Sequence, residues 1–238
     1  MSQRSTAPVS LPVNRLIAGL PRAERNGVVA RCEPVELAFG EVLCEAGEPY
    51  RHIYFPTTGV ISLVKNLGDH QFLETEQIGN EGMLGATLIL NVISAPQRGF
   101  VHGAGTALRM TAAQLQSSLR GNSALLGMLK RYLYVVMLKL SQTTGCNRFH
   151  DVGERLARAL LIADDRTHAD HFHLTHQFLA EMLGVQRGAV TIAAGLLQQQ
   201  KIIHYTRGEI TVLDRDALEL AACECYRVIA DDYERLLP

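Results

Sequence analysis

Between Glu33 and Met110 the apolar residues come in short runs broken by Gly or Pro about every 8–12 residues, and from Thr111 onward they recur at steps of three and four. No single regular structure satisfies both patterns. The runs VELAFG, EVLCEAG, HIYFPTTG, VISLVKNLG, FLETEQIGNEG, FVHGAG and TALRM read as short antiparallel strands closed into a barrel or roll. Glycines at 40, 47, 59, 68, 79, 82 and 85 supply its turns. Ahead of the roll, Leu11, Leu16, Ile17, Leu20, Val28 and Val29, interrupted at Pro21 and Gly27, predict short helices. The fold class expected is therefore α+β.

The 238 residues are enough for one large domain or two modest ones, and 47% hydrophobic residues exclude a disordered chain. The net charge is -1, so a uniformly basic coat is excluded, whereas a local basic patch is not. With no Trp and 6% aromatics, a stacking platform for single strands is not expected. The longest mostly apolar stretch, Gly82 to Ile93, falls well short of the ~20 residues of a membrane span. The opening MSQRSTAPVS has no apolar segment of a secretory signal. A cytoplasmic location follows as an expectation, with no membrane partner. The five scattered cysteines (Cys32, Cys44, Cys146, Cys223, Cys225) are then read as free thiols.

From Leu126 the residues Leu129, Leu133, Val136, Leu140 and Thr143 form an a/d seam. Leu125, Met128, Tyr132, Val135 and Leu138 lie off it, so the helix has two apolar faces and needs two things to cover them. One is its own roll; the other is expected to be a second copy. The seam stops at Gly145, which reads as the hinge. The expected organisation is a sensor roll with short helices at 1–121, a dimerisation helix and hinge at 122–146, and a further domain at 147–238.

That last domain holds LTHQFLAEMLGVQRGAVTIAAGLLQQQKIIHYTRGEITVL, residues 174–213. Thr175 is a suitable N-cap for a helix over Phe178, Leu179, Met182 and Leu183, and Gly184 ends it. A second helix starts near Gln186 with Val190, Ala193, Ala194 and Leu197 inward, and Arg187, Gly188, Thr191, Gly195 and Gln198 outward. Two helices joined by a tight glycine turn, the second with a small polar face, are the helix-turn-helix signature. The strands 201–206 and 209–213 around Arg207-Gly208 predict a hairpin wing. From Met182 to Gly208 there is no Asp or Glu, but Arg187, Lys201 and Arg207 are present.

These features together resemble the Crp/Fnr family of bacterial transcription regulators over roughly residues 15–215. The resemblance rests on FGEVLCEAGEPYRHIYFPTTGVISLV, on the long helix at 122–144, and on the helix-turn-helix with its wing, in that order. It implies an N-terminal β-roll of cyclic-nucleotide-binding type, a long dimerisation helix and a C-terminal winged helix-turn-helix. It also implies a homodimer that binds palindromic double-stranded DNA, with RNA polymerase as a further candidate partner. The DNA-binding positions are then Thr175, His176, Gln177, Gln186, Arg187, Gly188, Thr191, Gln198, Lys201 and Arg207. Arg187 is expected to read bases, with Gln186, Thr191 and Gln198 as helpers; His176, Gln177, Lys201 and Arg207 are expected at phosphates. The chain departs from the family where Thr175-His176-Gln177 replaces Thr-Arg-Gln, and where Arg187-Gly188 replaces Arg-Glu. At the effector pocket, Gly85-Ala86 stands where cyclic-AMP-binding members have Gly-Glu, and Arg98 stands where they hold the phosphate. Ala86 has no carboxylate for a ribose hydroxyl, so dependence on cyclic AMP is not expected. The effector, a nucleotide or haem, stays unidentified.

The alternative is a nucleotide- or haem-binding sensor without specific DNA binding. His52, His70 and His102 are the histidines a haem could use within the roll. An N-terminal iron–sulfur cluster is not expected, because only Cys32 and Cys44 precede Cys146. The stretch His168, His171, His173 and His176 with Asp164, Asp165 and Asp170 matches no zinc spacing, so no metal site is assigned. Cys223-x-Cys225, taken as part of one C-terminal helix from Asp216 to Leu236, points its thiols apart. No nucleophile elbow, P-loop or Rossmann pattern is present, so no enzyme is expected.

Overall fold

The computed structural model describes residues 13–66, 68, 72–166 and 171–237; Leu11, His70, His168 and Asp170 lie outside them. Two short helices, α1 (Arg15–Ala18) and α2 (Arg22–Val29), precede seven strands. These are β1 (Glu33–Leu37), β2 (Val42–Cys44), β3 (His52–Pro56), β4 (Val60–Asn66), β5 (Phe72–Ile78), β6 (Arg98–Gly103) and β7 (Gly105–Thr111). They form two antiparallel sheets in the orders β1-β7-β3 and β2-β6-β4-β5. The alternation of each strand puts Ile53, Phe55, Ile61, Val101 and Met110 inside, and they are fully buried. Gly40, Gly47, Gly68 and Gly85 all sit at positive φ, the backbone state in which a Cβ is strained. At Gly85 a side chain would also strike Ile53.

Helix α3 (Ala112–Gly121) opens with a capping box at Thr111 and Gln114 and leads into α4 (Ser123–Phe149). At ~1.5 Å per residue α4 is roughly 40 Å long. It runs straight through Gly145, so the break falls at His150–Asp151 and not at the expected hinge. A lone glycine weakens a helix by only ~1 kcal/mol, which the neighbouring packing outweighs.

The register of the expected seam is also corrected. Leu125, Met128, Leu129, Tyr132 and Val135 are buried against the roll, and Val136 packs on the same core. The uncovered stripe is Leu126, Leu133, Met137 and Leu140, with Met137 66% exposed and Tyr134 beside it. The two apolar faces adjoin, and only the position of the roll decides which residues each one claims.

Beyond the break, α5 (Val152–Arg166), β8 (Phe172–His173), α6 (His176–Leu183), α7 (Arg187–Gln199), β9 (Ile203–Thr206), β10 (Glu209–Val212) and α8 (Arg215–Ala221) share a second core. The last helix, α9 (Cys225–Leu236), returns to pack on α4, with Ile229 and Tyr233 joining the core of the roll. The expected single helix from Asp216 to Leu236 is thus two. Ala222 is extended (φ -85°, ψ 152°) and Cys223 lies between them.

Candidate nucleic-acid interface

The turn between α6 and α7 follows from local chemistry. Thr175 caps α6 by accepting from the Phe178 amide at 3.1 Å. Gly184 takes the left-handed conformation (φ 64°, ψ 40°) that ends the helix and starts the turn. Gln186 occupies the N-cap of α7 without a side-chain cap bond. Val190, Ala193, Ala194 and Leu197 are buried, which turns Arg187, Gly188, Thr191, Gly195 and Gln198 outward, as the periodicity predicts.

The wing is β9 paired with β10, with Thr206 opposite Glu209. Arg207 (φ 52°) and Gly208 (φ 93°) both lie at positive φ, the turn that matches the twist of a hairpin. Gly208 is held tightly, since a Cβ there would meet the His173 ring at 2.6 Å. Arg187, Lys201 and Arg207 are exposed and have no ion-pair partner among the described residues.

Other expected contact residues are committed to the fold. The His176 ring stacks on Tyr205 at 4.2 Å, and its Nδ1 lies 3.0 Å from the Thr191 hydroxyl. That hydroxyl donates to the Arg187 carbonyl at 3.1 Å, so His176 is the donor to Thr191. Burial, and then the Arg187 charge, hold the imidazole below its ordinary range, in its neutral form. His176 therefore ties α6, α7 and the wing together instead of presenting a free donor to phosphate. Gln198 accepts from the Tyr205 amide at 2.8 Å and positions the wing, while Gln177 donates to Glu181 at 2.8 Å. Two exposed side chains escaped sequence reading: Ile192 (69% exposed) and Leu196 (54%) on the outer face of α7. Apolar groups there suit thymine methyls. The sequence signal was present, because neither falls on the inward stripe.

The roll meets this domain through a polar seat. Arg166 on α5 pairs with Glu81 at 2.5 Å and donates to the Gln77 side chain at 2.8 Å. Burial works to raise the Glu81 carboxyl, but Arg166 and then Lys139 outweigh it and hold it below the usual range. Lys139 on α4 pairs with Glu76 at 2.6 Å. Nearby, burial pushes Glu74 up to about 7. Beside this seat His102 stacks on Phe178 at 4.1 Å, which joins β6 to α6. Burial, then the charges of Arg166 and His173, bring His102 down to about 4. A cavity of about 480 Å³ lies alongside, lined from the roll by Phe39, Val60 and His102 and from the other domain by Arg166 and Phe172.

At the expected effector positions, Ala86 packs on the core of the roll and Arg98 pairs with Glu45 at 3.4 Å. An anion at Arg98 has to compete with that carboxylate. Of the haem candidates, His52 sits beside Tyr54 and His102 is in the stack with Phe178. The acidic and histidine stretch is parted: Arg215 holds Asp164 and Asp165, while Glu209 takes His173 at 2.7 Å and lies 4.0 Å from His171.

The architecture is a winged helix-turn-helix carried by a long helix on a β-roll. Residues 154–221 match the family model of the Crp-like helix-turn-helix domain. The whole fold is similar to that of FixK2 from Bradyrhizobium japonicum, at 14% identity and a TM-score of 0.67 over 81% of this chain and 98% of that one. The global regulator CLP of Xanthomonas campestris, described as c-di-GMP-responsive, gives 16% and 0.65 over 81% and 99%. A CRP-family transcriptional regulator from Thermus thermophilus gives 18% and 0.65 over 79% and 96%. No curated protein matches the sequence. Residues 154–221 thus form a Crp-like helix-turn-helix domain, and the fold around it is similar to that of these regulators. No helix among the described residues is long and apolar enough to cross a membrane.

Proposed function

We propose that this chain is a dimeric, sequence-specific DNA-binding transcription regulator that acts without chemistry of its own. The observation that carries this reading is the cationic face of α7 and the wing. Arg187, Lys201 and Arg207 project from a surface with no acidic residue between Met182 and Gly208. Arg187 stands in the first turn of α7, where a guanidinium can meet guanine O6 and N7 in a major groove. Three cations per copy give a small electrostatic term, so useful affinity requires two copies. The exposed stripe of α4 supplies the surface for pairing, and the paired α7 helices enter grooves ~34 Å apart on a palindrome. The cavity between roll and α5 is the place for an effector, since a ligand there touches both bodies and can favour one arrangement. RNA polymerase is a candidate protein partner, and the cytoplasm the expected compartment.

The test separates reading from holding. Arg187→Ala is expected to cost ~1–3 kcal/mol on the preferred duplex and to relax the preference there. Arg207→Ala is expected to weaken all duplexes alike and to lower the salt slope by about one. Equal loss on preferred and random duplex for Arg187→Ala contradicts the assignment.

A further inference from the structure

The end of α4 and the break between α8 and α9 bring Cys146 and His150 together with Cys223 and Cys225, a pair distant from them in sequence. One ligand atom from each lies within 4.8 Å of every other. Cys146 lies in the last turn of α4 and His150, four residues on, is its extended C-cap, whose amide donates to the Cys146 carbonyl; the three cysteines are buried. Sγ of Cys146 and Sγ of Cys223 are 3.6 Å apart, and Nδ1 of His150 lies 3.6 Å from Sγ of Cys225. Zinc–sulfur bonds of ~2.3 Å and zinc–nitrogen bonds of ~2.0–2.1 Å set tetrahedral edges of roughly 3.4–3.8 Å. Both measured separations fall in that range.

We propose that Cys146, His150, Cys223 and Cys225 form a tetrahedral site for one zinc ion, which clips the C-terminal helix to the end of the long helix. The surroundings have the features such a site needs. The other nitrogen of His150, Nε2, pairs with Glu224 at 3.2 Å, so a carboxylate orients the imidazole and leaves Nδ1 for the metal. Gln142 donates to Sγ of Cys225 at 3.1 Å, a bond that strengthens once the sulfur is a thiolate. As the ion binds, the three thiols release their protons to solvent, and a neutral imidazole completes the set. The complex carries one net negative charge.

That charge answers a second, independent feature. Arg155 and Arg158 on α5 are 6% and 8% exposed, and Nε of each is buried with no hydrogen-bond partner. Neither has an ion-pair partner among the described residues. Both lie close enough to the cysteines for their charges to act there. Two buried cations beside neutral thiols are costly, whereas beside an anionic zinc–thiolate centre they are compensated. Soft thiolates select zinc over hard cations, and the close spacing suits one ion better than a polynuclear iron–sulfur cluster, which spreads its thiolates over several irons.

The test uses the full-length protein expressed with added zinc and purified under reducing conditions without chelator. Elemental analysis with native mass spectrometry is expected to give about one zinc per chain. Cys223→Ala and His150→Ala are each expected to lose most of it. After zinc is exchanged for cobalt, the wild-type protein is expected to show the intense visible bands of a tetrahedral cobalt–thiolate centre. This spectrum decides the matter even if a cysteine variant fails to fold. Zinc-free protein with no such spectrum overturns the proposal, and so does freshly isolated, metal-free protein with a Cys146–Cys223 disulfide. Full zinc content in both variants also overturns it, since the ion then sits elsewhere. None of these outcomes depends on DNA binding.

Discussion

The cations on the outer face of α7 and its wing live in circumstances opposite to those at the seat beneath the roll. Arg187, Lys201 and Arg207 are exposed and have no carboxylate among the described residues. Arg166 and Lys139 have side chains only 12% exposed, and each holds one, Glu81 and Glu76. A solvated cation without a partner costs a protein little and is available to an external anion. A buried cation is tolerable only when paired, and its pairing fixes the geometry of the elements that bring the partners together. The first group is therefore free to meet an external anion such as a nucleic-acid phosphate, which is the role proposed for it. The second defines how the DNA-binding domain is seated on the roll.

The sharpest way to break this distinction is at the seat. Arg166→Ala leaves Glu81 buried and unpaired, and is expected to cost ~3–5 kcal/mol of stability in urea unfolding. A further Glu81→Gln change should recover part of that loss. A cost below ~1 kcal/mol would mean that the pair is solvated and positions nothing. On the exposed stripe of α4, Met137→Ala should leave the stability of the single chain nearly unchanged. It is expected to weaken self-association by ~1.5–3 kcal/mol, read by sedimentation against concentration. Unaltered association would place the dimer contact elsewhere.

A smaller effect comes from His102. In the folded chain its imidazole titrates at about 4, against ~6.5 when unfolded. Between those values the unfolded chain takes up a proton that the folded one refuses, so stability falls as pH falls from 6.5 towards 4. His102→Gln should remove that part of the acid limb, and an identical limb in the variant would show that the stack with Phe178 carries no linkage. Glu74 works with the opposite sign. It keeps its proton up to about 7 in the fold, so its contribution declines as pH rises from ~4.5 to 7. For this reason the variant must be compared with the wild type over the same range.

Much of the fold could be read from residues that admit few conformations. The glycines at 40, 47, 68 and 85 occupy the positive-φ turns expected of them, and Gly184 ends α6 as its position required. The inward stripe of α7 and the Arg207-Gly208 wing tip follow from periodicity and turn chemistry alone. What periodicity does not decide is which side of α4 its own roll covers, and the roll takes Leu129 and Val136 out of the a/d seam. Nor did the sequence mark the end of α8. Ala222 is a good helix former, and no Gly or Pro announces the break at which Cys223 and Cys225 turn towards Cys146. The contacts of His176 are hidden from the sequence for a similar reason. A polar residue in the first turn of a helix suggests an external contact, and only the placement of Tyr205 and Thr191 shows that its bonds are internal.

In the proposed function the free cations of two copies act together on a symmetric duplex. The direct measurement is the affinity and stoichiometry of the purified protein on a duplex selected from random sequence, compared with its scrambled counterpart across a salt series. Two chains per selected duplex are expected, with an affinity at least ~10³-fold above the scrambled one and a log-linear loss with salt. Equal affinity for both duplexes, or one chain per duplex, would contradict the proposed function.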